Sequence, residues 1–83
     1  MHQSVPLLYD TTEFGDRIRT LRHQKGLRQD ELADRIGVTR MTISRLERGE
    51  AVSVDTALRA LSECGCAVAI VPKFTRVAVV DAP

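Results

Sequence analysis

Aromatic residues are scarce in this sequence, which has one Tyr, two Phe and no Trp among its 83 residues. Because 43% of the residues are nonetheless hydrophobic, the composition excludes a disordered chain and favours a globular helical domain packed on Leu, Ile, Val and Ala. A chain of this length forms one small domain whose single core gives only marginal stability. Self-association would bury further apolar surface.

Cysteines and long apolar runs are also scarce. Cys64 and Cys66 are the only cysteines, and the only two histidines, His2 and His23, lie far from them in the sequence. Since no metal-binding spacing results, we expect no metal and no cofactor, and we interpret the thiols as buried at a helix–strand junction. No run approaches the roughly 18–20 apolar residues of a membrane span and no signal peptide is recognised, so we expect a cytoplasmic protein without a membrane partner.

The net charge of +1 conceals an uneven distribution of charged residues. Residues 13–50 carry nine Lys or Arg against seven Asp or Glu, and residues 51–83 carry three of each kind. The position of the basic residues therefore matters more than their sum. No nucleophile–base pair, paired catalytic carboxylates or phosphate-binding glycine loop is found in the sequence, so we expect no enzyme activity.

Apolar spacing and capping residues predict a mainly helical domain over residues 12–64. The predicted helices cover residues 12–25, 29–36, 40–48 and 54–64. Only three or four residues, including Gly37, join the second helix to the third, which is the helix-turn-helix arrangement. In the fourth helix we expect an inner face made of Val54, Ala57, Leu58 and Leu61.

The two ends of the chain differ from this helical pattern. Residues 1–11 have no period and are interpreted as a flexible arm, and residues 81–83 as a tail. Residues 65–80 contain two β-like runs, 67–71 and 74–80, which predict one or two strands. Because an isolated hairpin is marginal in water, we expect a second copy of the chain to pair with the first strand. The predicted dimerisation residues are Ala67, Val68, Ala69, Ile70 and Val71.

The segment RIRTLRHQKGLRQDELADRIGVTRMTISRLERGE resembles the XRE-type helix-turn-helix family of phage Cro and repressor proteins. Its motifs are the Gly-Leu-x-Gln start of the second helix, Glu-Leu-Ala, the Gly-Val-Thr turn and Ile-Ser-x-x-Glu-x-Gly. The resemblance covers Phe14 to Leu61 and implies a four-helix, lambda repressor-like fold. The following LRALSECGCAVAIVPK is similar to the HipB-type antitoxin branch, in which a C-terminal strand pairs with its twin across the dimer axis.

The resemblance also implies a role for individual residues. The third helix of this family enters the major groove, so the implied base contacts are Arg40, Met41, Ser44 and Arg45. The implied phosphate contacts are Arg28, Gln29, Thr39, Thr42 and Arg48. A partly buried ion pair between Arg22 and Glu47, which ties the first helix to the third, is also implied. Position 28 departs from the family, which has a Ser, Thr or Asn cap there. Since Arg28 is a poor cap, either the second helix begins less firmly or Arg28 serves a phosphate.

These features predict a homodimeric repressor that binds double-stranded DNA at a palindromic operator. The tail favours a HipB-like antitoxin that autoregulates its operon and holds a HipA-like kinase toxin. The alternative is a stand-alone XRE-family repressor without a toxin partner. A purely structural dimerisation domain would leave the arginines of the third helix unexplained. Either regulator would be cytoplasmic and associated with the nucleoid.

Overall fold

The computed structural model describes residues 2–5, 7–74 and 77–80. Their helices and strands follow the order β1 (His2–Val5), α1 (Thr11–Gln24), α2 (Gln29–Ile36), α3 (Arg40–Glu47), α4 (Val54–Glu63) and β2 (Val77–Val80). The predicted mainly helical, four-helix fold is confirmed, and each helix begins and ends within one residue of its predicted bounds.

The helices begin where the sequence offers a side-chain acceptor. Asp10 Oδ1 accepts a hydrogen bond from the Glu13 backbone N–H at 2.8 Å, at the start of α1. Thr39 and Ser53 cap α3 and α4 in the same way. Each bond satisfies one of the backbone donors that a helix leaves unpaired in its first turn. Between α2 and α3, Gly37 adopts φ +71°, a left-handed conformation that favours glycine, and so turns the chain sharply.

The core is aliphatic, as expected, and lies where all four helices meet. Its buried members come from every helix: Ile18, Leu32, Ala33, Ile36, Ile43, Leu46, Ala60, Leu61 and Cys64. Helix α1 crosses close to the C-terminal turn of α3. A Cβ on Gly15 would lie 2.5 Å from the Leu46 carbonyl oxygen, so only glycine fits at this crossing. This close contact fixes the C-terminal turn of α3 against α1.

Helix α4 is rotated relative to our expectation. Val54 is 73% exposed and Leu58 46% exposed, whereas Thr56, Ala60 and Leu61 face the core. The prediction for Val54 and Leu58 was therefore wrong. Ala60 is fully buried, and α4 packs against α2. The Thr56 hydroxyl can be buried because it is hydrogen-bonded to the Ser53 hydroxyl at 2.8 Å.

The ends of the chain pair with each other. Strand β1 lies antiparallel to β2, with His2 opposite Val80 and Val5 opposite Val77. The interpretation of residues 1–11 as a flexible arm did not anticipate β1, because the partner of this strand is at the far end of the sequence. Residues 67–71 form no strand within the single chain. Their pairing with a second copy stays a prediction.

The described residues lack the features of two other classes of protein. No helix among them combines the length and the apolar character needed to cross a membrane. In the same part of the chain, no group of three or more His, Cys, Asp or Glu side chains could hold a metal ion. Cys64 is buried and Cys66 half-buried, and neither is in a disulfide.

Candidate nucleic-acid interface

Helix α3 presents polar and cationic side chains on the face opposite the core. Ile43 and Leu46 are buried and hold its inner side. The four predicted base-contacting residues lie on the remaining surface: Arg40, Met41 and Arg45 are exposed and Ser44 is half-buried. Guanidinium groups can donate two parallel hydrogen bonds to a guanine edge, and a methionine can contact a thymine methyl. The arrangement therefore suits the reading of bases, although their contact with DNA stays a prediction.

The start of α3 carries two of the predicted phosphate-contacting hydroxyls. Thr39 caps the helix by accepting from the Thr42 backbone N–H at 3.2 Å, and the two hydroxyls lie 3.0 Å apart. These side chains are exposed or half-buried at a helix N-terminus, where backbone donors and the helix dipole favour anions. Capping and phosphate contact are compatible for Thr39.

The start of α2 is stabilised by carboxylates, since Arg28 provides no side-chain cap. Glu31 Oε1 accepts from the Arg28 backbone N–H at 2.9 Å, and Asp30 Oδ1 accepts from the Glu31 backbone N–H at 3.0 Å. The Arg28 side chain pairs with Asp30 at 3.0 Å. Its hydrogen bond lowers the pKa of Asp30. Helix α2 thus has capping bonds despite Arg28, and the guanidinium predicted to contact phosphate already has an acidic partner.

A buried ion pair ties α1 to α3. Arg22 donates from Nε to Glu47 Oε2 at 2.6 Å and from Nη2 to Oε1 at 2.9 Å. Its third donor, Nη1, reaches the Leu27 carbonyl at 2.8 Å. Burial raises the pKa of Glu47, but the hydrogen bonds from Arg22 and Gln29 outweigh burial, and the pKa is lowered overall. Glu47 is therefore ionised inside the domain.

Glu47 also contacts Gln29 and Arg19. Neither contact was predicted from the sequence. The Gln29 side-chain amide donates to Glu47 Oε1 at 3.1 Å, and Arg19 Nε lies 3.5 Å from the same oxygen. Gln29 was predicted to contact phosphate. Its amide keeps a second N–H beyond the one given to Glu47, so the two roles are compatible. No sequence signal distinguished this contact.

Glu50, immediately after the α3 turn, joins two of the predicted DNA-contacting arginines. Arg48 Nε donates to Glu50 Oε2, and Arg45 Nε lies 3.8 Å from Glu50 Oε1. The far end of each guanidinium is also bonded: Arg48 Nη1 donates to Ser44 Oγ at 2.8 Å, and Arg45 Nη2 to the Ala51 carbonyl at 3.1 Å. Sequence reasoning missed Glu50.

Comparisons with known proteins agree with this geometry. The family model described as a helix-turn-helix domain matches residues 13–69. A protein of Pyrococcus furiosus named as an HTH-type transcriptional regulatory protein is 46% identical over 46 residues, which are 54% of this chain and 15% of that protein. An HTH-type transcriptional regulator of Methanothermobacter thermautotrophicus is 59% identical over 32 residues, which are 39% of this chain and 46% of that protein. The chain thus spans less than half the length of either relative.

Solved structures similar to this chain include HipB in two complexes. In the HipA–HipB–O2–O3 complex the matching chain is 24% identical, with a TM-score of 0.76, over 83% of this chain and 99% of that chain. In the complex of a HipB variant with the O2 20mer, the matching chain is 25% identical, with a TM-score of 0.76, over 84% of this chain and 99% of that chain. The first of these likenesses concerns the fold alone. Because the family model covers more than half of the sequence, the chain belongs to the helix-turn-helix domain family, in its XRE type.

Proposed function

We propose that this protein is a sequence-specific transcriptional repressor that inserts α3 into the major groove of double-stranded DNA. The observation that carries the proposal is the division of α3 into two faces. Ile43 and Leu46 are buried in the core, whereas Arg40, Met41 and Arg45 lie on the exposed side of the same helix. The buried side fixes the position of the helix, which matters because base readout depends on the geometry of hydrogen bonds. Ser44 completes the set of proposed base contacts.

The proposed phosphate contacts surround that helix. Thr39 and Thr42 lie at its start, Arg48 follows its end, and Arg28 and Gln29 lie at the start of α2. Such contacts fix the register of a protein on the duplex and carry no sequence information. Relatives named as transcriptional regulators support a DNA-binding role in general.

The proposed repressor acts as a homodimer on a palindromic operator. Ile70 is 96% exposed and Val68 53% exposed in the single chain. The segment from Cys66 to Lys73 borders a groove of about 620 Å³ that is also lined by Leu7, Phe14 and Leu21. An apolar segment of this kind is the sort of surface that a second copy covers. Two identical subunits would then meet two identical half-sites.

We further propose that the repressor is the antitoxin of a toxin–antitoxin pair. The support is the likeness to HipB, which occurs in a complex with HipA. A HipA-like kinase would then be the second partner, and the protein would be found in the cytoplasm at the nucleoid. The alternative is a stand-alone repressor. Co-expression with the product of any kinase-like reading frame next to its gene distinguishes the two, because only an antitoxin would co-purify with that kinase.

The DNA-binding proposal is tested by selecting bound duplexes from a random pool and titrating the enriched sequence at several salt concentrations. If each subunit neutralises about three to five phosphates, log K falls against log salt with a slope of about −5 to −9. The footprint is expected to contain two half-sites about 34–36 Å apart. An affinity that does not depend on salt, or a single unsymmetric footprint, would contradict the proposal.

The separate roles of Arg45 and Arg48 are tested by alanine substitution. Arg45→Ala is expected to weaken binding to the selected operator by about 1–3 kcal/mol and to relax preference at one base pair per half-site. Arg48→Ala serves as the matched control, since a phosphate contact is lost equally on operator and random DNA. Equal losses on both duplexes for Arg45→Ala would show that Arg45 contacts only phosphate.

A further inference from the structure

We propose that Glu50 determines DNA specificity by restraining Arg45 and Arg48 in the free protein and so weakening binding to random sequence. The inference rests on the proposed function. Both oxygens of this one carboxylate are engaged, Oε2 by Arg48 and Oε1 by Arg45 at 3.8 Å. All three side chains are about half exposed, so the carboxylate lies on the same surface as the guanidinium groups that would meet DNA.

Each of the two arginines has a second hydrogen bond to the protein besides its contact with Glu50. Arg48 also donates to the Ser44 hydroxyl at 2.8 Å, and Arg45 to the Ala51 carbonyl at 3.1 Å. An isolated exposed ion pair has little energetic weight, but here one carboxylate and two further acceptors hold two arginines. The guanidinium groups are therefore oriented along the loop before DNA arrives.

The backbone fixes the position of Glu50 itself. Its N–H donates to the Arg45 carbonyl at 3.0 Å. The preceding Gly49 has φ +79° and packs against α1, where an added Cβ would lie 2.9 Å from the Thr12 Cα. The turn that carries Glu50 is thus held by α1 as well as by α3, and its Cα has a fixed position beside the two arginines.

This arrangement affects random and operator DNA differently. Binding to random sequence depends on phosphate contacts, and each such contact by Arg45 or Arg48 must displace Glu50 and bring phosphates close to its negative charge. On the operator, Arg45 gains base contacts that random DNA does not offer. Loss of the carboxylate charge should therefore strengthen binding to random DNA more than binding to the operator.

The test compares Glu50→Gln with wild type on two fluorescent duplexes, a random sequence and the sequence selected with the wild-type protein. Glu50→Gln is expected to tighten binding to the random duplex about tenfold at low salt and binding to the selected duplex about threefold or less. With one charge lost per subunit, the salt slope of a dimer should steepen by about 1.8. Far-UV circular dichroism verifies that the variant is folded.

Glu63→Gln is the matched control. It removes the same charge from a carboxylate that also pairs with an arginine, Arg35 at 3.2 Å, at the opposite end of α4. It is expected to bind both duplexes within about twofold of wild type, because it lies outside the proposed interface. If Glu50→Gln merely matches Glu63→Gln, or binds random DNA no tighter than wild type, the inference is overturned.

Two further outcomes are decisive. A weaker operator complex with no gain on random DNA would show that Glu50 contacts a base, such as a cytosine amino group, and would overturn the restraint. When Arg48 is also replaced by alanine, Glu50→Gln should tighten binding to random DNA less than it does in the wild-type background. An undiminished effect in that double variant would also overturn the proposed restraint. Wild-type protein that binds neither duplex would instead overturn the proposed function, and this inference with it.

Discussion

Removal of Arg22 tests whether the buried ion pair holds α3 in position. In Arg22→Ala three hydrogen bonds disappear, two to Glu47 and one to the Leu27 carbonyl. The Glu47 side chain is 0% exposed, so its carboxylate loses its two shortest hydrogen bonds in a covered position. Gln29, at 3.1 Å, and the half-exposed Arg19, at 3.5 Å, remain as weaker partners.

The expected destabilisation is large relative to the stability of the domain. Breaking one partner of a buried pair costs about 3–5 kcal/mol, since it leaves a buried charge without compensation. Small domains have a total unfolding free energy of about 5–15 kcal/mol, and an 83-residue chain with few aromatic residues belongs near the lower end. Arg22→Ala should therefore unfold in part at room temperature.

Urea titration followed by circular dichroism measures the effect as a shift of midpoint at constant slope. Arg35→Ala is the control, because Arg35 pairs with Glu63 at 3.2 Å at the surface and should lose less than about 1 kcal/mol. The double variant Arg22→Met/Glu47→Leu should recover most of the loss, as apolar replacements of buried pairs often do. A loss below about 1 kcal/mol for Arg22→Ala would refute the view that this pair holds the two helices together.

Three other substitutions test the core, the acid response and the dimer. Gly15→Ala places a Cβ 2.5 Å from a backbone oxygen of α3 and should lower the free energy of unfolding by about 1–3 kcal/mol or more. The control Gly26→Ala, at φ +69° and with no neighbour within 4 Å, should lower it by about 1 kcal/mol. Equal melting temperatures for the two variants would contradict the close crossing of α1 and α3. Because the folded-state pKa of Glu47 is lowered from its ordinary 4.5, its stabilisation is complete above that value and is lost as the pH falls through the folded pKa. The stability difference between wild type and Glu47→Gln should therefore narrow in acid, and a constant difference would contradict the assignment. Ile70→Asp should sediment as a monomer and lose affinity for the operator. The control Val54→Asp, on the exposed side of α4, should stay dimeric. A dimeric Ile70→Asp would show that the dimer contact lies elsewhere.

Local signals predicted the helices because each start and stop depends on neighbouring residues. Asp10, Thr39 and Ser53 accept hydrogen bonds three residues ahead, and Gly37 turns the chain at a positive φ. The orientation of α4 was less predictable. Apolar spacing indicated an inner face with Val54 and Leu58, but the domain buries Thr56, Ala60 and Leu61 instead. The orientation of α4 depends on how the helices pack together, which is a property of the packed domain.

Pairing between distant segments was the other feature beyond the reach of local sequence. The hydrogen-bonded partners of β1 lie at the opposite end of the chain, and neither segment identifies the other by its composition. The ion pair between Arg22 and Glu47 is equally distant in sequence, yet it was expected from the family resemblance. Its extension to Gln29 was not, because side-chain hydrogen bonds of this kind depend on the relative position of α2 and α3.

The affinity for DNA would depend on more than the proposed DNA-contacting residues, because several of them already have partners within the protein. Of the nine, four already contact carboxylates in the free protein: Arg28 contacts Asp30, Gln29 contacts Glu47, and Arg45 and Arg48 contact Glu50. DNA would have to compete with these internal partners for contacts made by Arg28, Arg45 and Arg48. The free energy of a phosphate contact would be reduced by the ion pair that it replaces, whereas the proposed base contacts of Arg40 and Arg45 would add to the operator complex alone. In the proposed complex, internal carboxylates would thus lower affinity for random sequence more than affinity for the operator, which would suit a regulator that must find one site among many competing sequences.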